Sequence, residues 1–376
     1  MVNTRRCLVL SLLTLCLLLT GLAAMAQEGK LVREMVYSPS LEGNLLGDSP
    51  KRAVTIYLPP SYDLEPDRRY PVVYLLHGYT GSNELWTGGS YISGNILYSM
   101  RSWLKSGKVK EMILVMPNSH NKFRGSFYTN SITTGGWADF IAKDLVEYID
   151  NHYRTLPQRE SRAVIGHSMG GYGGIKLGLL YPDVFGCMGG LAGIYHFDEE
   201  RMKKDSGSYA FCSTLESWNQ FYGLSWQTQA MFAEAAAFAP NPDKPPFYCD
   251  FPYTYTDTKP RKIVKNEEAY KRFQEHDLLR LAEKRIDVLR NMRAIYVDCG
   301  TSDELIDDAR KLHQKLEDLG VKHVYREFPG SHICCVMTST GEALEVFSNA
   351  MAFEPVVSVE PRGKLAITWG EIRRRR

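Results

Sequence analysis

The sequence predicts an α/β protein with a mostly parallel central sheet, and three observations indicate this fold class. Apolar runs at 71–76 and 112–116 are continuous, as in strands that are covered on both faces. Segments with helical apolar periodicity separate such runs, which is typical of βαβ units. The pentapeptide Gly166-His167-Ser168-Met169-Gly170 joins a short strand-like run to a glycine-rich helix start.

The remaining elements follow in chain order. A roughly alternating run at 52–58 predicts a strand near a sheet edge, and Pro59 and Pro60 end it. Apolar residues at helical spacing predict a helix at 137–149. A strand at 162–165 and a helix from residue 170 flank the pentapeptide. Three further strands are predicted at 184–191, 294–297 and 321–328, and two further helices at 307–319 and 342–353.

The first 26 residues have the pattern of an export signal rather than of a folded segment. Arg5 and Arg6 form a basic start, residues 8–19 are apolar, and Ala24-Met25-Ala26 has the small residues of a cleavage site. A membrane anchor is the competing interpretation, although the apolar stretch is short for a membrane span. We therefore expect a periplasmic or secreted protein without stable membrane insertion after cleavage.

The chain after the signal peptide is expected to form one large α/β domain at 27–354. A stretch at about 194–290 interrupts the alternation with prolines and many aromatic residues, which predicts a cap inserted between two sheet strands. Residues 355–376 differ in character and form a C-terminal tail. Loss of Arg5 and Arg6 changes the formal net charge from +2 to 0, so the chain has no basic field for nucleic acid.

Cysteine usage is compatible with export. Six of the eight cysteines remain after the signal peptide is removed, namely Cys187, Cys212, Cys249, Cys299, Cys334 and Cys335. One candidate disulfide is Cys212–Cys249 within the insertion. Another joins Cys299 to Cys334 or Cys335 near the predicted active-site loops. A metal site is not expected here, because His332, Cys334 and Cys335 lack the spacing of metal ligands.

The pentapeptide has the G-x-S-x-G pattern of a nucleophile elbow, in which a serine stands on a sharp strand-to-helix turn. A serine hydroxyl needs a base, and the base needs an acid, in the chain order Ser, acid, His. Asp303 follows the strand at 294–297, and His332 follows the strand at 321–328. Loops beyond the carboxyl ends of parallel strands share one edge, so Ser168, Asp303 and His332 can meet. The other candidate acids are Asp298, Glu304, Asp307 and Asp308, of which Asp298 has a structural alternative as a buried hydrogen-bonded group.

Stabilisation of an oxyanion requires two backbone N–H groups. Met169 supplies one, and the loop after the strand at 71–76 supplies the other, from Tyr79 or alternatively from Thr80. His77 is expected to support this loop through hydrogen bonds. His167 is expected to line the site or to pack beneath it, and neither histidine is the predicted base.

Three residues are candidates for contact with the substrate. Trp86 follows the oxyanion loop and could border an acyl pocket, although ordinary core packing is the alternative. Tyr128 and Asn130 lie beyond the strand at 112–116 and could also contact substrate.

Several segments together resemble a known family. They are 70–78 (YPVVYLLHG), 115–118 (VMPN), the helix at 139–149, 165–171 (IGHSMGG) and 299–303 (CGTSD). The chain resembles the esterase family of α/β-hydrolases that includes esterase D, bacterial feruloyl esterases, S-formylglutathione hydrolases and mycolyltransferases. The resemblance implies the α/β-hydrolase fold, with Ser168 as nucleophile, Asp303 as acid and His332 as base. One departure is Ile333-Cys334-Cys335 after the histidine, where the family often has Asp or Thr and then an aromatic residue.

These features predict an exported serine carboxylic-ester hydrolase that needs neither cofactor nor metal. The expected substrates are feruloyl, acetyl or other short or aryl esters, on polysaccharides or small molecules. S-formylglutathione is disfavoured because that thiol is cytosolic. The alternatives are a polyester or lipid esterase, an acyltransferase with the same triad, and a non-catalytic glycan-binding protein on a hydrolase scaffold.

Overall fold

The computed structural model describes residues 28–88 and 91–356. The predicted signal peptide at 1–26 and most of the predicted tail, from residue 357 onward, lie outside the described residues. Within the described residues, no helix is both long and apolar enough to cross a bilayer.

One eight-stranded sheet forms the centre of the molecule. Its order is β1-β2-β4-β3-β7-β8-β11-β12, in which β1, β2 and β4 pair antiparallel and every later neighbour pairs parallel. The strands are β1 (Lys30–Tyr37), β2 (Lys51–Leu58), β3 (Val72–Leu76), β4 (Ile113–Pro117), β7 (Arg162–His167), β8 (Cys187–Leu191), β11 (Ala294–Gly300) and β12 (Val324–Phe328). The predicted mostly parallel α/β architecture is confirmed, and it has the strand order of the α/β-hydrolase fold.

Helices cover both faces of this sheet. They are α1 (Ile96–Lys105), α2 (Trp137–Asp139), α3 (Leu145–His152), α4 (Met169–Leu180), α5 (Glu199–Lys204), α6 (Ser206–Cys212), α7 (Trp218–Tyr222), α8 (Trp226–Phe238), α9 (Glu267–Glu275), α10 (Leu278–Lys284), α11 (Ile286–Arg290), α12 (Ile306–Asp318) and α13 (Val336–Ala350). A π-helical turn at Phe140–Asp144 joins α2 to α3. Short antiparallel pairs are formed by β5 (Asn130–Ser131) with β6 (Gly135–Gly136) and by β9 (Tyr253–Tyr255) with β10 (Ile263–Lys265).

Alternate residues of the central strands enter two separate apolar cores. In β3, Val72 and Tyr74 belong to the core that α4 and α12 cover, whereas Val73 and Leu75 belong to the core that α1 and α13 cover. This is the two-sided burial that the continuous apolar run predicts, because successive side chains of a strand point to opposite faces.

The chain between β8 and β11 contains α5 to α11 and the β9–β10 pair, at the position for which an inserted cap is predicted. Its buried aromatic residues extend the core that α4 and α12 cover. Phe232 packs against Phe247 and Phe251 at ring-centroid distances of 4.7 and 4.9 Å, and Phe123 from the main domain packs against Trp218 at 5.0 Å in a tilted arrangement. The insertion is therefore a packed unit that rests on the loop after β4.

The strands β8 and β12 begin three residues later than predicted, and β11 ends three residues later. Three larger differences concern the main sheet and its covering helices. The edge strand β1 and the helix α1 are additional, and α13 begins at Val336, six residues before the predicted start at 342. The signal for β1 is weak because the strand is half exposed and carries three charged residues among eight. The sequence does not indicate the start of α13, because the residue before the helix is Cys335 in the left-handed conformation (φ 66°) rather than a typical capping residue.

Candidate active site

Ser168 stands at a strained turn between β7 and α4. Its backbone has φ 58° and ψ −118°, a conformation that non-glycine residues rarely adopt. The Ser168 N–H donates to the Leu191 carbonyl at 2.8 Å, which holds the turn against the end of β8. Strain of this kind is characteristic of a nucleophile elbow, because it lifts the side chain clear of the sheet.

The two glycines of the pentapeptide are required by close backbone contacts. A Cβ on Gly166 would lie 2.4 Å from the Leu76 carbonyl oxygen, and a Cβ on Gly170 would lie 2.2 Å from the same oxygen. Neither contact can be relieved by a side-chain rotation, because the neighbouring atom belongs to the backbone of β3. The elbow can therefore approach β3 only when both positions are glycine.

Ser168, His332 and Asp303 form one hydrogen-bonded line. The Ser168 hydroxyl lies 2.9 Å from Nε2 of His332, and Nδ1 of His332 lies 2.9 Å from Oδ2 of Asp303. The neutral tautomer that satisfies both contacts carries its proton on Nδ1, so His332 donates to Asp303 and accepts from Ser168. The Asp303 side chain is fully buried, whereas the His332 side chain is 25% exposed, which leaves the Ser168 end open to an incoming molecule.

The surroundings of Asp303 favour its ionised form. Burial by itself would raise the pKa of the carboxyl, but hydrogen bonds and the charge of His332, with further bonds from the Leu305 N–H and the Cys299 thiol, bring that pKa below its ordinary value. Asp298 lies within β11, and its carboxylate accepts from the Tyr296 hydroxyl at 3.0 Å. Of these two candidate acids, Asp303 therefore contacts His332, whereas Asp298 forms a buried hydrogen bond within its own strand.

Two free N–H groups lie beside the serine. The Thr80 N–H donates to the Arg124 carbonyl at 3.0 Å, so it is not available to an oxyanion. The N–H groups of Tyr79 and Met169 have no acceptor among the residues that the structure describes. A Cβ on Gly125 would lie 2.6 Å from the Tyr79 ring and 2.7 Å from the Met169 sulfur, so these two residues sit side by side. This arrangement favours Tyr79 over Thr80 as the partner of Met169.

The oxyanion loop is held from below by buried polar groups. Nε2 of His77 accepts from the Ser119 N–H at 2.8 Å, so Nδ1 carries the proton and donates to the Gly78 carbonyl at 2.8 Å. Burial lowers the pKa of His77 to about 4, which keeps it neutral in this role. The Tyr128 hydroxyl donates to the His77 carbonyl at 2.8 Å. These bonds fix the loop that carries the Tyr79 N–H.

His167 connects the elbow directly to the loop of His332. Its Nε2–H donates to the His332 carbonyl at 2.8 Å, and the two imidazole rings lie 4.8 Å apart. Burial lowers the pKa of His167 to about 3, so the ring is neutral over the ordinary pH range and is not a base for Ser168. His167 thus fixes the backbone of His332, whose ring contacts Ser168.

Three expected substrate contacts are corrected by the structure. Trp86 and Tyr128 are both fully buried, Trp86 in the core beneath α1 and Tyr128 beneath the oxyanion loop, so neither can reach a bound molecule without local unfolding. The Asn130 side chain accepts from the N–H groups of Ala138 and Asp139, which caps the start of α2. Asn130 lines an open surface groove of about 410 Å³ that includes no residue of the hydrogen-bonded line.

The candidate disulfides are also corrected. Cys334 and Cys335 are bonded to each other, and the thiols of Cys187, Cys212, Cys249 and Cys299 are free and buried. Cys212 and Cys249 therefore do not form the predicted bridge. Cys299 does not pair with Cys334 or Cys335, because those two cysteines are bonded to each other and the Cys299 thiol is free.

Tyr91 is a neighbour of the site that the sequence analysis did not identify. The Tyr91 hydroxyl contacts Gly78 so closely that a Cβ on Gly78 would lie 2.3 Å from the hydroxyl oxygen. The Tyr91 ring centroid lies 6.2 Å from that of His167. In the sequence, Tyr91 follows glycine residues and lies in no periodic pattern that could assign it to the oxyanion loop. It is partly exposed and therefore stands at the rim of the site.

Comparison with known proteins identifies the family to which this chain belongs. A family model described as "Putative esterase" matches residues 49–334, which is more than half of the chain. The endo-1,4-beta-xylanase/feruloyl esterase of Xylanibacter ruminicola is 29% identical over 192 residues, which cover 50% of this chain and 25% of that protein. An acetyl esterase of Caldicellulosiruptor saccharolyticus is 22% identical over 260 residues, which cover 69% of this chain and 76% of that protein.

A solved ferulic acid esterase shares the fold with a TM-score of 0.60 at 22% identity, and the match covers 86% of this chain and 99% of that chain. This chain spans only 25% to 52% of the length of the first curated relatives, which are longer proteins. The solved structure is similar in fold, and the family match extends over β2 to the loop of His332.

Proposed function

We propose that this chain, which belongs to the Putative esterase family, is an exported serine carboxylic-ester hydrolase. The observation that carries the proposal is the hydrogen-bonded line from Ser168 through His332 to Asp303, at a strained elbow beside two free N–H groups. The line supplies a nucleophile, a base and a group that orients the base, and the two N–H groups beside it supply donors for an oxyanion. These are the components that acyl transfer by a serine requires.

The first half of the reaction forms an acyl-enzyme. The Ser168 oxygen attacks the ester carbonyl carbon while His332 Nε2 takes the hydroxyl proton. The N–H groups of Tyr79 and Met169 stabilise the tetrahedral oxyanion. When the bond from the carbonyl carbon to the alcohol oxygen breaks, His332 returns its proton to the departing alcohol. Asp303 keeps His332 in the Nδ1–H tautomer and stabilises its cation.

The second half uses the same groups with water. His332 takes a proton from a water molecule whose oxygen attacks the acyl carbon. The bond to the Ser168 oxygen then breaks, and the proton on His332 returns to Ser168. The net reaction converts one ester and one water into one acid and one alcohol. All proton transfers pass through His332, which is 25% exposed and accessible to the attacking water.

The proposed substrates are feruloyl, acetyl or related short or aryl esters, carried by polysaccharides or by small molecules. The names of the relatives support this class, because one is a xylanase/feruloyl esterase and another is an acetyl esterase. The export pattern of residues 1–26 also supports it, since an exported enzyme meets esters of extracellular polymers.

Steady-state hydrolysis of p-nitrophenyl acetate, butyrate and octanoate and of methyl ferulate tests the proposal. We expect turnover by the wild type and a loss of at least about 10⁴-fold in kcat for Ser168→Ala. Exposed Ser106 offers a matched control, and Ser106→Ala should retain the wild-type rate. Folded wild-type protein without turnover of any ester would contradict the proposal and favour a glycan-binding role.

The identity of the acid is tested by a matched pair of substitutions. Asp303→Asn should reduce kcat by about 10³- to 10⁴-fold, because an amide stabilises the wrong tautomer of His332. Asp298→Asn should leave kcat within about three-fold of the wild type, because Asp298 bonds to Tyr296 and not to His332. The opposite ranking would assign the acid to Asp298.

Two further measurements separate the alternatives. Added sugar or alcohol acceptors that capture the acyl group faster than water would identify an acyltransferase, whereas a preference for octanoate over acetate and ferulate would identify a lipid or polyester esterase. Export is tested by mass spectrometry of the protein recovered from the periplasm or the medium. The mass should correspond to a chain that begins at Gln27. Recovery of uncut chain in the membrane fraction would favour the anchor.

A further inference from the structure

A pair of histidines and a glutamate meet at the end of α12, in a part of the domain that the proposed reaction does not use. His313 and Glu317 are four residues apart on this helix, so they lie on one face of it, and His323 follows in the loop before β12. One possible ligand atom from each residue lies within 4.8 Å of the other two. The cluster therefore brings two imidazoles and a carboxylate to one point.

The hydrogen bonds orient both rings toward each other. His323 Nδ1 lies 2.8 Å from the Val321 carbonyl, so Nδ1 carries the proton and Nε2 carries the lone pair. That Nε2 lies 2.8 Å from Nδ1 of His313. A backbone carbonyl that accepts from the far nitrogen of an imidazole is the usual way in which a metal-binding histidine is oriented.

The His313 ring is held in plane by its neighbour. It stacks on the Tyr325 ring at a centroid distance of 4.2 Å and an angle of 8°. The His323 side chain is almost completely buried, at 1% exposure, whereas the Glu317 side chain is 60% exposed. Two of the three groups are therefore held in place, and the third is free to rotate toward them.

We propose that His313 Nδ1, His323 Nε2 and a Glu317 carboxylate oxygen bind one divalent transition-metal ion, with Zn²⁺ as the preferred ion and water as the fourth ligand. Zn²⁺ with bonds of about 2.0 Å needs ligand atoms about 3.3 Å apart in a tetrahedron. The two imidazole nitrogens must separate by about half an ångström from 2.8 Å. Oε1 of Glu317 lies 3.8 Å from Nδ1 of His323, so the exposed Glu317 side chain must turn toward Nε2 of the same ring to bind the ion.

Binding requires one change of tautomer. In the metal-free pair, the His313 Nδ1–H donates to His323 Nε2. In the metal-bound form this proton moves to His313 Nε2 through solvent, so both imidazoles bind as neutral ligands and no proton is lost from either ring. Imidazole and carboxylate ligands together favour Zn²⁺, Cu²⁺ or Ni²⁺ over Ca²⁺ or Mg²⁺, which prefer oxygen ligands throughout.

The proposed ion would connect α12 to the segment that leads into β12. The loop of Asp303 precedes α12, and the loop of His332 follows β12, so the two elements that the ion joins also support two members of the hydrogen-bonded line. We assign the ion a structural role, because its ligands do not include any residue of that line. Zn²⁺ should accordingly raise the unfolding temperature without being required for turnover.

Calorimetric titration of untagged, chelator-treated protein with ZnCl₂ tests the site. We expect one Zn²⁺ per chain, a Tm that rises by a few degrees at saturating Zn²⁺, and a Co²⁺ derivative with tetrahedral absorption bands but no thiolate charge-transfer band. His313→Asn and Glu317→Gln should each weaken Zn²⁺ binding at least ten-fold. Glu317 is exposed, so Glu317→Gln should fold normally even if a change at His323 does not.

Two matched controls define the result. Exposed His152, which bonds to the Tyr148 carbonyl, and Asp318, which bonds to Gln314, offer the same ligand types outside the site. His152→Asn and Asp318→Asn should bind Zn²⁺ as the wild type does. Absence of Zn²⁺ binding, or binding that survives His313→Asn or Glu317→Gln, would overturn the three-ligand site.

Discussion

The bond from His167 to the His332 carbonyl should contribute to the rate of ester hydrolysis, although His167 does not contact the reacting atoms. Replacement His167→Phe keeps an aromatic ring in the buried space and removes the Nε2–H donor, which lies 2.8 Å from that carbonyl. The loop of His332 then loses its hydrogen bond to the elbow, and Nε2 of His332 can move away from the Ser168 hydroxyl.

The expected size of the effect follows from this single bond. A neutral hydrogen bond contributes about 0.5 to 1.5 kcal/mol net, and a buried carbonyl left without a donor costs about 1 to 3 kcal/mol. The His332 carbonyl is only partly buried, so water can replace part of the loss, and we expect about 1 to 2 kcal/mol. Expressed in the transition state, this corresponds to a decrease of about 5- to 30-fold in kcat/KM.

The assay is kcat and KM for p-nitrophenyl acetate, with active-site titration to count the folded enzyme. His167→Gln is the matched variant, because its amide can donate at similar reach, and we expect it to recover part of the rate lost in His167→Phe. The decrease should appear in kcat, since His167 does not contact the substrate. Wild-type kcat in His167→Phe, or equal losses in the Phe and Gln variants, would refute the positioning role.

Three further predictions concern stability and thiol chemistry. Burial raises the pKa of Asp298 to about 7, so between about pH 4 and 7 the unfolded state binds fewer protons and stability falls as pH rises. Between pH 5 and 8 the free energy of unfolding measured with urea should fall by about 2 to 3 kcal/mol less in Asp298→Asn than in the wild type. An unchanged dependence on pH would contradict the assignment. Gly170→Ala places a Cβ 2.2 Å from the Leu76 carbonyl oxygen and should cost about 3 kcal/mol or more, whereas Gly223→Ala meets its nearest atom at 3.4 Å and should be tolerated. The mature protein should show no thiol reactive toward a disulfide reagent when native and four when unfolded without reductant, and a count of two would instead support the Cys212–Cys249 bridge.

Part of the fold was predictable because it depends on local patterns. The apolar runs of β3 and β4 show burial on both faces, and the glycines around Ser168 show a tight turn, in residues adjacent in the chain. The strand β1 was missed because its side chains are half exposed, which weakens the alternation on which a strand prediction relies.

The site was predictable in outline for a topological reason. Asp303 and His332 follow parallel strands that pair with each other, and the carboxyl ends of such strands lie at one edge of the sheet. The sequence favoured Asp303 among the nearby acids, but the exclusion of Asp298 depends on which carboxylate the turn after β11 directs toward the imidazole. Asp298 differs from Asp303 by five positions but bonds within its own strand, to Tyr296.

The sequence by itself determined the elbow, the chain order of serine, acid and histidine, and the class of sheet that brings them together. Only the tertiary structure decided that the Thr80 N–H is bound to Arg124 while the Tyr79 N–H is free, that Trp86 and Tyr128 are buried, and that Cys299 is a free thiol. The reason is physical. Burial and hydrogen-bond partnership depend on atoms that approach from distant parts of the chain, and residue spacing carries no record of those approaches.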